Sequence, residues 1–437
     1  MTTPITRRTA LKSMAATLAV PFVYRVHATA APIDTVYHAS FGANGMALAD
    51  IRSLASSKNL KLVAVAEVDL GRIADVKKQF PDVKVYQDWR ELLDKEKNLT
   101  SVNVSTPDHM HAPITMRAMQ QGLHVYTQKP LTQTIYEARQ LTKVAKDKKI
   151  ISQMGIQIHS HEVHRTVVQI IQDGLIGKVK EVHSWSGKDW GDRAAKPNRV
   201  DKVPETLNWD MWLGVAAERP FINGYYHPGQ WRKRLDFGTG TFGDMGCHIL
   251  DPVFTSLALT APKSLRSLGE QPNDYNWALN QWVRFTFPQT KFTTEELELN
   301  WYNGEQRPLP EITKLVGDSI SDQGSIYVGT DGVLYSPYIS APKLLPAEKF
   351  KDVKVPKVGG VDHYRQFVEA VRGNDKTSAP FEYAGPLTES VLLGCLATRY
   401  PKSLLEWDAA KMEVTNLKEA NQHVRREYRK GWEVEGL

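Results

Sequence analysis

Phe41-Gly42-Ala43-Asn44-Gly45-Met46-Ala47 closes an apolar run at 35–40 and opens a helix-period segment at 45–57. A strand that turns through glycine straight into a helix is the start of a βαβ unit. Outward from it, strand-like runs stand at 62–68, 101–105, 124–126 and 150–153, with helix-period segments at 71–79, 89–93, 111–121 and 135–146 between them. Strands alternating with helices of this length predict a parallel sheet, and right-handed crossovers put helices on both of its faces. The fold class is α/β, with a doubly wound parallel sheet over residues 31–155.

The pattern changes after 155. A helix at 163–173 ended by Gly174 and a strand at 178–185 lead into an aromatic loop region that runs to about 231. Strands expected at 264–268, 276–287, 291–300 and 324–335, the last with an Asp331-Gly332 hairpin signal, suit a mainly antiparallel open sheet. Helices at 362–372 and 387–399 complete an α+β domain over 156–437. The 437 residues agree with two domains. With 41% hydrophobic and 24% charged residues, composition excludes a disordered chain, a collagen and a disulfide scaffold. Cys247 and Cys395 are the only cysteines and are expected to be free buried thiols.

Residues 1–30 read as an export signal. Arg7-Arg8 precedes an apolar stretch from Met14 to Tyr24, and Ala28-Thr29-Ala30 supplies a cleavage signal, which resembles a bacterial twin-arginine leader and implies a periplasmic protein. Arg7, Arg8, Lys12 and Arg25 supply four of the six excess positive charges, so the body of the chain carries +2 and its charge calls for no nucleic-acid partner. No membrane span is expected in that body, since the one long apolar run lies in the leader.

A dinucleotide-binding turn needs glycine for a tight bend, for close approach to pyrophosphate and for helix packing. The three fingerprint positions fall on Gly42, Asn44 and Ala47, with Gly45 beside the departure at Asn44. Glu67 and Asp69, 25 and 27 residues after Gly42 at the end of the second strand, could accept hydrogen bonds from an adenosine ribose. NAD is the expected cofactor, and Arg72 keeps NADP open. His159, His161 and His164 lack metal-ligand spacing, so no metal is expected.

Ser105-Thr106-Pro107-Asp108-His109-Met110-His111, Val125-Tyr126-Thr127-Gln128-Lys129-Pro130-Leu131 and Gly243-Asp244-Met245-Gly246-Cys247-His248-Ile249-Leu250-Asp251 follow in turn. Together they resemble the Gfo/Idh/MocA family of glucose–fructose oxidoreductase and inositol dehydrogenase-like enzymes. The resemblance implies a Rossmann-type first domain, cofactor contacts from Thr106, Pro107, His111, Gln128, Lys129 and Gln157, and a homodimer or homotetramer. It also implies that Lys129 lies against the nicotinamide ribose and the substrate hydroxyl, that His248 accepts a proton, and that Asp244 orients the transfer. Asp244 and His248 are spaced to share a helical face. Where the family carries Glu before its lysine, this chain has Gln128.

Trp185, Trp190, Trp209, Trp212 and Trp231 put five of eleven tryptophans within 47 residues. Trp190, Tyr225, Tyr226 and Trp231 are the candidates for stacking on a carbohydrate. The expected function is an NAD(P)-dependent oxidoreductase acting on a sugar, polyol or glycoside, with the cofactor held through many turnovers. Two alternatives stand beside it: a redox-neutral glycoside hydrolase working through a transient 3-keto intermediate, with His248, Lys129 or Tyr225 as base, and a sugar-binding protein with a decayed cofactor site.

Overall fold

The computed structural model describes residues 33–317 and 319–437, so the expected export signal lies outside the described residues. Strands β1 (Val36–Phe41), β2 (Leu60–Ala66), β3 (Lys84–Tyr86), β4 (Ser101–Val104), β5 (His124–Gln128) and β6 (Ser152–Gly155) form one sheet in the order β3-β2-β1-β4-β5-β6. Every pairing in it is parallel. Helices α1 (Met46–Ala55), α2 (Ala74–Gln79), α3 (Trp89–Lys95), α4 (His111–Gln120) and α5 (Ile135–Asp147) connect the strands. The chain runs outward from β1 to β3, then returns to lay β4 on the other side of β1. That reversal leaves a crevice beyond the carboxyl ends of β1 and β4. The short edge strand β3 was not expected, because three residues carry no readable alternation.

The second half contributes α6 (Glu162–Gln172), β7 (Val179–Ser186), α7 (Trp209–Leu213), α8 (Gly240–Leu257), β8 (Ser264–Ser267), β9 (Gln281–Pro288) and β10 (Thr293–Asn303). After these come α9 (Pro310–Thr313), β11 (Gln323–Gly329), β12 (Val333–Ser336), β13 (Lys343–Leu345), α10 (Ala347–Phe350), α11 (His363–Val371), α12 (Phe381–Thr398), β14 (Leu404–Asp408) and β15 (Glu413–Val414). The nine strands order as β13-β12-β11-β7-β10-β9-β8-β14-β15. Only β7 and β10 pair in parallel. The α/β class, the Rossmann-type parallel sheet and the mainly antiparallel second sheet are thus all present. The strand expected from 276 starts only at Gln281, because Asn276 is buried in side-chain bonds to Tyr225 and Arg234 that hold a loop.

α8 is the central element of the second half, and of its 18 residues only Thr255 is not buried. Sequence reading saw a single turn of it, since Gly240, Gly243, Gly246 and Pro252 weaken the helical signal. Gly394 lets α12 close on α8, since a Cβ there would lie 2.0 Å from the Phe242 ring; Gly246, one turn along α8 from Phe242, leaves room for that same ring, which a Cβ would meet at 2.6 Å. Phe242 in turn stacks on Trp301 of β10 at 4.7 Å. α11 returns to the first sheet, where Phe367, Val368 and Val371 pack with Val36, Leu54 and Tyr126. Burial of Phe367 alone contributes about 2 kcal/mol. α5, which packs on α12, starts with a capping box in which Thr134 and Glu137 satisfy each other's backbone N–H groups. Cys247 and Cys395 are buried free thiols. Among the described residues no helix is long and apolar enough to cross a membrane, and no group of three His, Cys, Asp or Glu residues could hold a metal ion.

Candidate active site

A cavity of about 510 Å³ opens at the carboxyl ends of β1 and β4 and runs to α8. At its nucleotide end the wall is backbone. Gly42 sits at φ 99°, and a Cβ there would meet the Ser105 carbonyl at 2.8 Å. Gly45 caps α1 at φ 59° with open space beside it. No side chain caps α1 and no acid stands in its first turn, so its free N–H groups and dipole suit an anion such as a pyrophosphate. Asn44 locks the turn: its amide donates to the Arg72 carbonyl (3.1 Å), and its Oδ1 accepts from Arg72 Nη2 and Gly45 N, both at 2.8 Å. Glu67 lines the cavity while its oxygens accept from Ala43 N (3.0 Å) and Asp69 N (3.1 Å), and burial pushes its carboxyl upward. These residues fit a dinucleotide.

The reaction end is built from side chains. Lys129 follows β5 directly, and its Nζ donates to Asp244 Oδ1 (2.7 Å) and to the Asp244 carbonyl (2.9 Å). Trp190 Nε1 donates to Asp244 Oδ2 at 2.9 Å, while Lys188 Nζ and Arg232 Nε each stand 3.6 Å from that carboxylate. Burial alone would raise the Asp244 carboxyl, but Lys129, Arg232 and Lys188 outweigh it and hold the group well below the usual range. One turn along α8, burial and then Lys129 push His248 down to about 3, so its imidazole is neutral at physiological pH. Its Nδ1 is buried without a partner. Gln157 lines the cavity, and its Oε1 is likewise buried without a partner.

The cavity gathers Gly42, Asn44, Gly45, Glu67, Thr106, Pro107, His111, Gln128, Lys129, Gln157, Trp190, Trp231, Asp244 and His248. His111 is there as a staple: Nδ1 lies 2.7 Å from the Pro130 carbonyl and Nε2 2.9 Å from that of Thr106, joining the two loops. Burial lowers it to about 4, so the neutral ring donates to one carbonyl at a time. Three expected residues lie outside the cavity lining. Asp69 turns to Thr206 (2.8 Å) and His227 (2.9 Å), because the polar end of β2 is covered by the 204–231 segment. Tyr225 and Tyr226 pack into an aromatic core with Trp212 and Phe237, the Tyr225 hydroxyl donating to Asn276 at 2.9 Å. Apolar burial takes precedence over stacking on a ligand there.

Sequence reasoning missed two acids. Asp50, buried on α1, accepts from Ser105 (2.7 Å), Tyr364 (3.0 Å) and Gln128 Nε2 (2.9 and 3.1 Å). Burial, partly offset by these donors, raises it to about 6. A carboxylate therefore does stand behind Lys129, one hydrogen bond further back than position 128. The available signal was an acid on the apolar stripe of α1, between Ala47 and Leu54. Asp108 lines the cavity, accepts from Thr239 (2.7 Å), and is pushed up to about 7 by burial.

Two family models match. One, described as an oxidoreductase family with an NAD-binding Rossmann fold, covers residues 39–156; the other, the C-terminal alpha/beta domain of the same oxidoreductase family, covers 160–295. Together they span more than half of the chain. A levoglucosan dehydrogenase of Pseudarthrobacter phenanthrenivorans is 25% identical over 191 residues, which are 44% of this chain and 40% of that protein. A scyllo-inositol 2-dehydrogenase (NADP+) of Bacillus subtilis is 24% identical over 43% of this chain and 42% of its own length. The chain thus spans about two fifths of the length of these relatives. The WlbA dehydrogenase of Bordetella pertussis, solved with NADH and UDP-GlcNAcA, shares the fold at a TM-score of 0.60 and 12% identity, over 86% of this chain and 99% of that one. An inositol dehydrogenase homolog of Azotobacter vinelandii, solved with NADH and myo-inositol, matches at 0.57 and 16% over 86% and 98%.

Proposed function

The chain belongs to the Gfo/Idh/MocA oxidoreductase family, and on that premise we propose that it moves a hydride between a retained NAD and a hydroxyl-bearing carbon of a sugar, polyol or glycoside. The observation that carries this reading is the Lys129-Asp244-His248 group on the wall of the cavity that begins at the dinucleotide turn. NAD, when bound, supplies the hydride acceptor. Lys129, held by both acceptors of Asp244, presents its remaining N–H to the substrate oxygen. His248, on the cavity wall one turn of α8 from Asp244, is the proton acceptor in this reading as the carbon gives up its hydride. The levoglucosan and inositol dehydrogenases support a sugar or polyol as the reduced partner.

Cofactor retention is part of the proposal. Leu70 N donates to the Thr206 carbonyl (2.9 Å), Asn208 N donates to the Val68 carbonyl (2.8 Å), and His227 pairs with Asp69. These bonds tie the 204–231 segment across the end of β2, over the expected adenosine site. Glu67 favours NAD over NADP. Export by a twin-arginine route to the periplasm and assembly as a homodimer or homotetramer complete the reading. Protein recovered from the periplasm of its host should release near-stoichiometric NAD(H) on denaturation, identified by mass spectrometry. It should also form a ketone from a sugar when an acceptor is added. A preparation that carries no nucleotide and binds neither NAD nor NADP refutes the proposal.

A further inference from the structure

We propose that the substrate of this site carries a negative charge, a sugar acid in preference to a neutral sugar, and that Arg232 and Lys188 hold its carboxylate. The inference rests on the oxidoreductase reading and names the substrate class for it.

Three cations, Lys129, Lys188 and Arg232, surround the reaction end, and among the described residues Asp244 is the one carboxylate within 4 Å of them. Lys129 takes the close bonds to Asp244. Lys188 and Arg232 stay at 3.6 Å, within ionic range but beyond hydrogen-bond distance, and neither side chain makes a hydrogen bond among the described residues. Their donors are therefore unused at the cavity wall. Asp108, the next acid on that wall, is bonded to Thr239 and gives Arg232 no hydrogen bond; burial raises it to about 7, so it offsets only part of the excess near neutral pH.

Placement argues the same way. The Arg232 guanidinium lies 4.2 Å from the Trp231 ring centroid and 5.3 Å from that of Trp190. Cation–π contact with two indoles holds the guanidinium at the cavity wall, and its planar fork suits two-point recognition of a carboxylate. It also covers ring surface that a neutral sugar would use. The pyrophosphate of a dinucleotide would sit at the far end, against α1, and leave this excess uncompensated, while an oxidised nicotinamide would add to it. A substrate anion supplies the missing charge.

The test uses holoprotein with bound NADH and follows nucleotide fluorescence as matched pairs are added: glucose with glucuronate, and galactose with galacturonate. The acid of at least one pair should bind about tenfold more tightly than its neutral partner, with a preference that weakens as salt is raised. In Arg232→Met holoprotein, matched for bound nucleotide, that preference should fall to about twofold. Lys188→Met should give an intermediate loss, and Arg232→Lys should restore part of the preference. Neutral sugars binding as tightly as their acids, or neither acid binding to NADH-loaded protein, would overturn the inference and leave the oxidoreductase reading intact. Failure to load NADH at all would instead remove the reading beneath it.

Discussion

The two ends of the cavity are made of different material. At the nucleotide end the surface is main chain: Gly42, Gly45 and the uncapped start of α1, with Asn44 and Glu67 bonded to the turn itself. At the reaction end the surface is charge, drawn from a strand end (Lys129), a loop (Lys188, Trp190), a short helical turn (Trp231, Arg232) and α8 (Asp244, His248). Backbone shape fails when a side chain is added to it. A charge cluster fails when its balance is changed. The two ends should therefore respond to different substitutions, and each can be disabled while the other still works.

Lys129→Ala should lower kcat/KM by about a thousandfold while bound NAD remains, separating chemistry from cofactor binding. Loss of NAD in that variant would mean the ends are not independent. Gly42→Val should do the reverse: its Cβ meets the Ser105 carbonyl at 2.8 Å and its φ of 99° is strained, so NAD affinity should fall about a hundredfold with the Lys129–Asp244 pair intact. Isothermal titration with NAD checks it.

Between the two ends stand Gln128 and Asp50. Gln128→Glu would set a second carboxylate about 3 Å from Asp50 and should cost about 3 kcal/mol of stability at pH 7. Because Asp50 is raised to about 6, the penalty should shrink as pH falls toward 5 and Asp50 takes up a proton. Asp50→Asn in the same chain should recover most of the loss. A Gln128→Glu protein as stable at pH 7 as at pH 5 would remove Asp50 as the carboxylate behind Lys129.

Asp108 gives a smaller, pH-dependent effect. Its folded value of about 7 lies above the unfolded 3.8, so the folded state binds the proton more tightly, and stability is lost as pH rises between those values. Asp108→Asn has no such loss and should gain more unfolding free energy at pH 8 than at pH 5, by an amount on the order of 1–3 kcal/mol, read from denaturant unfolding at the two pH values. Smallest of all, Tyr225→Phe should cost about 1 kcal/mol of stability through its bond to Asn276 and leave kcat/KM unchanged. A tenfold fall in kcat/KM would return Tyr225 to the substrate site.

The same division of material explains what was legible in the sequence. Strand–turn–helix order and the positions of Gly42 and Glu67 are local patterns, readable because a backbone turn involves few residues. Lys129, Asp244 and His248 were instead picked out by the resemblance of their motifs to the family, helical spacing adding only that the last two share a face. Trp190 and Trp231, on the cavity, and Tyr225 and Tyr226, off it, were not separable, since all four are large aromatics in one loop region and only packing assigns them. Asp69 read as a ribose ligand because the segment that covers it begins more than 130 residues later. Asp50 and the Arg232–Lys188 pair depend on partners brought together from distant segments, which no spacing rule shows.

The central claim is hydride transfer at Lys129, Asp244 and His248, and a single-turnover label transfer tests it most directly. Holoprotein with oxidised cofactor is mixed with a sugar deuterated on its hydroxyl-bearing carbons, quenched, and its nucleotide examined by mass spectrometry. Deuterium on the nicotinamide ring, absent in Lys129→Ala protein that still holds NAD, is the predicted result. NAD bound in full but unlabelled after a panel of neutral and acidic sugars, each shown to bind, would contradict it.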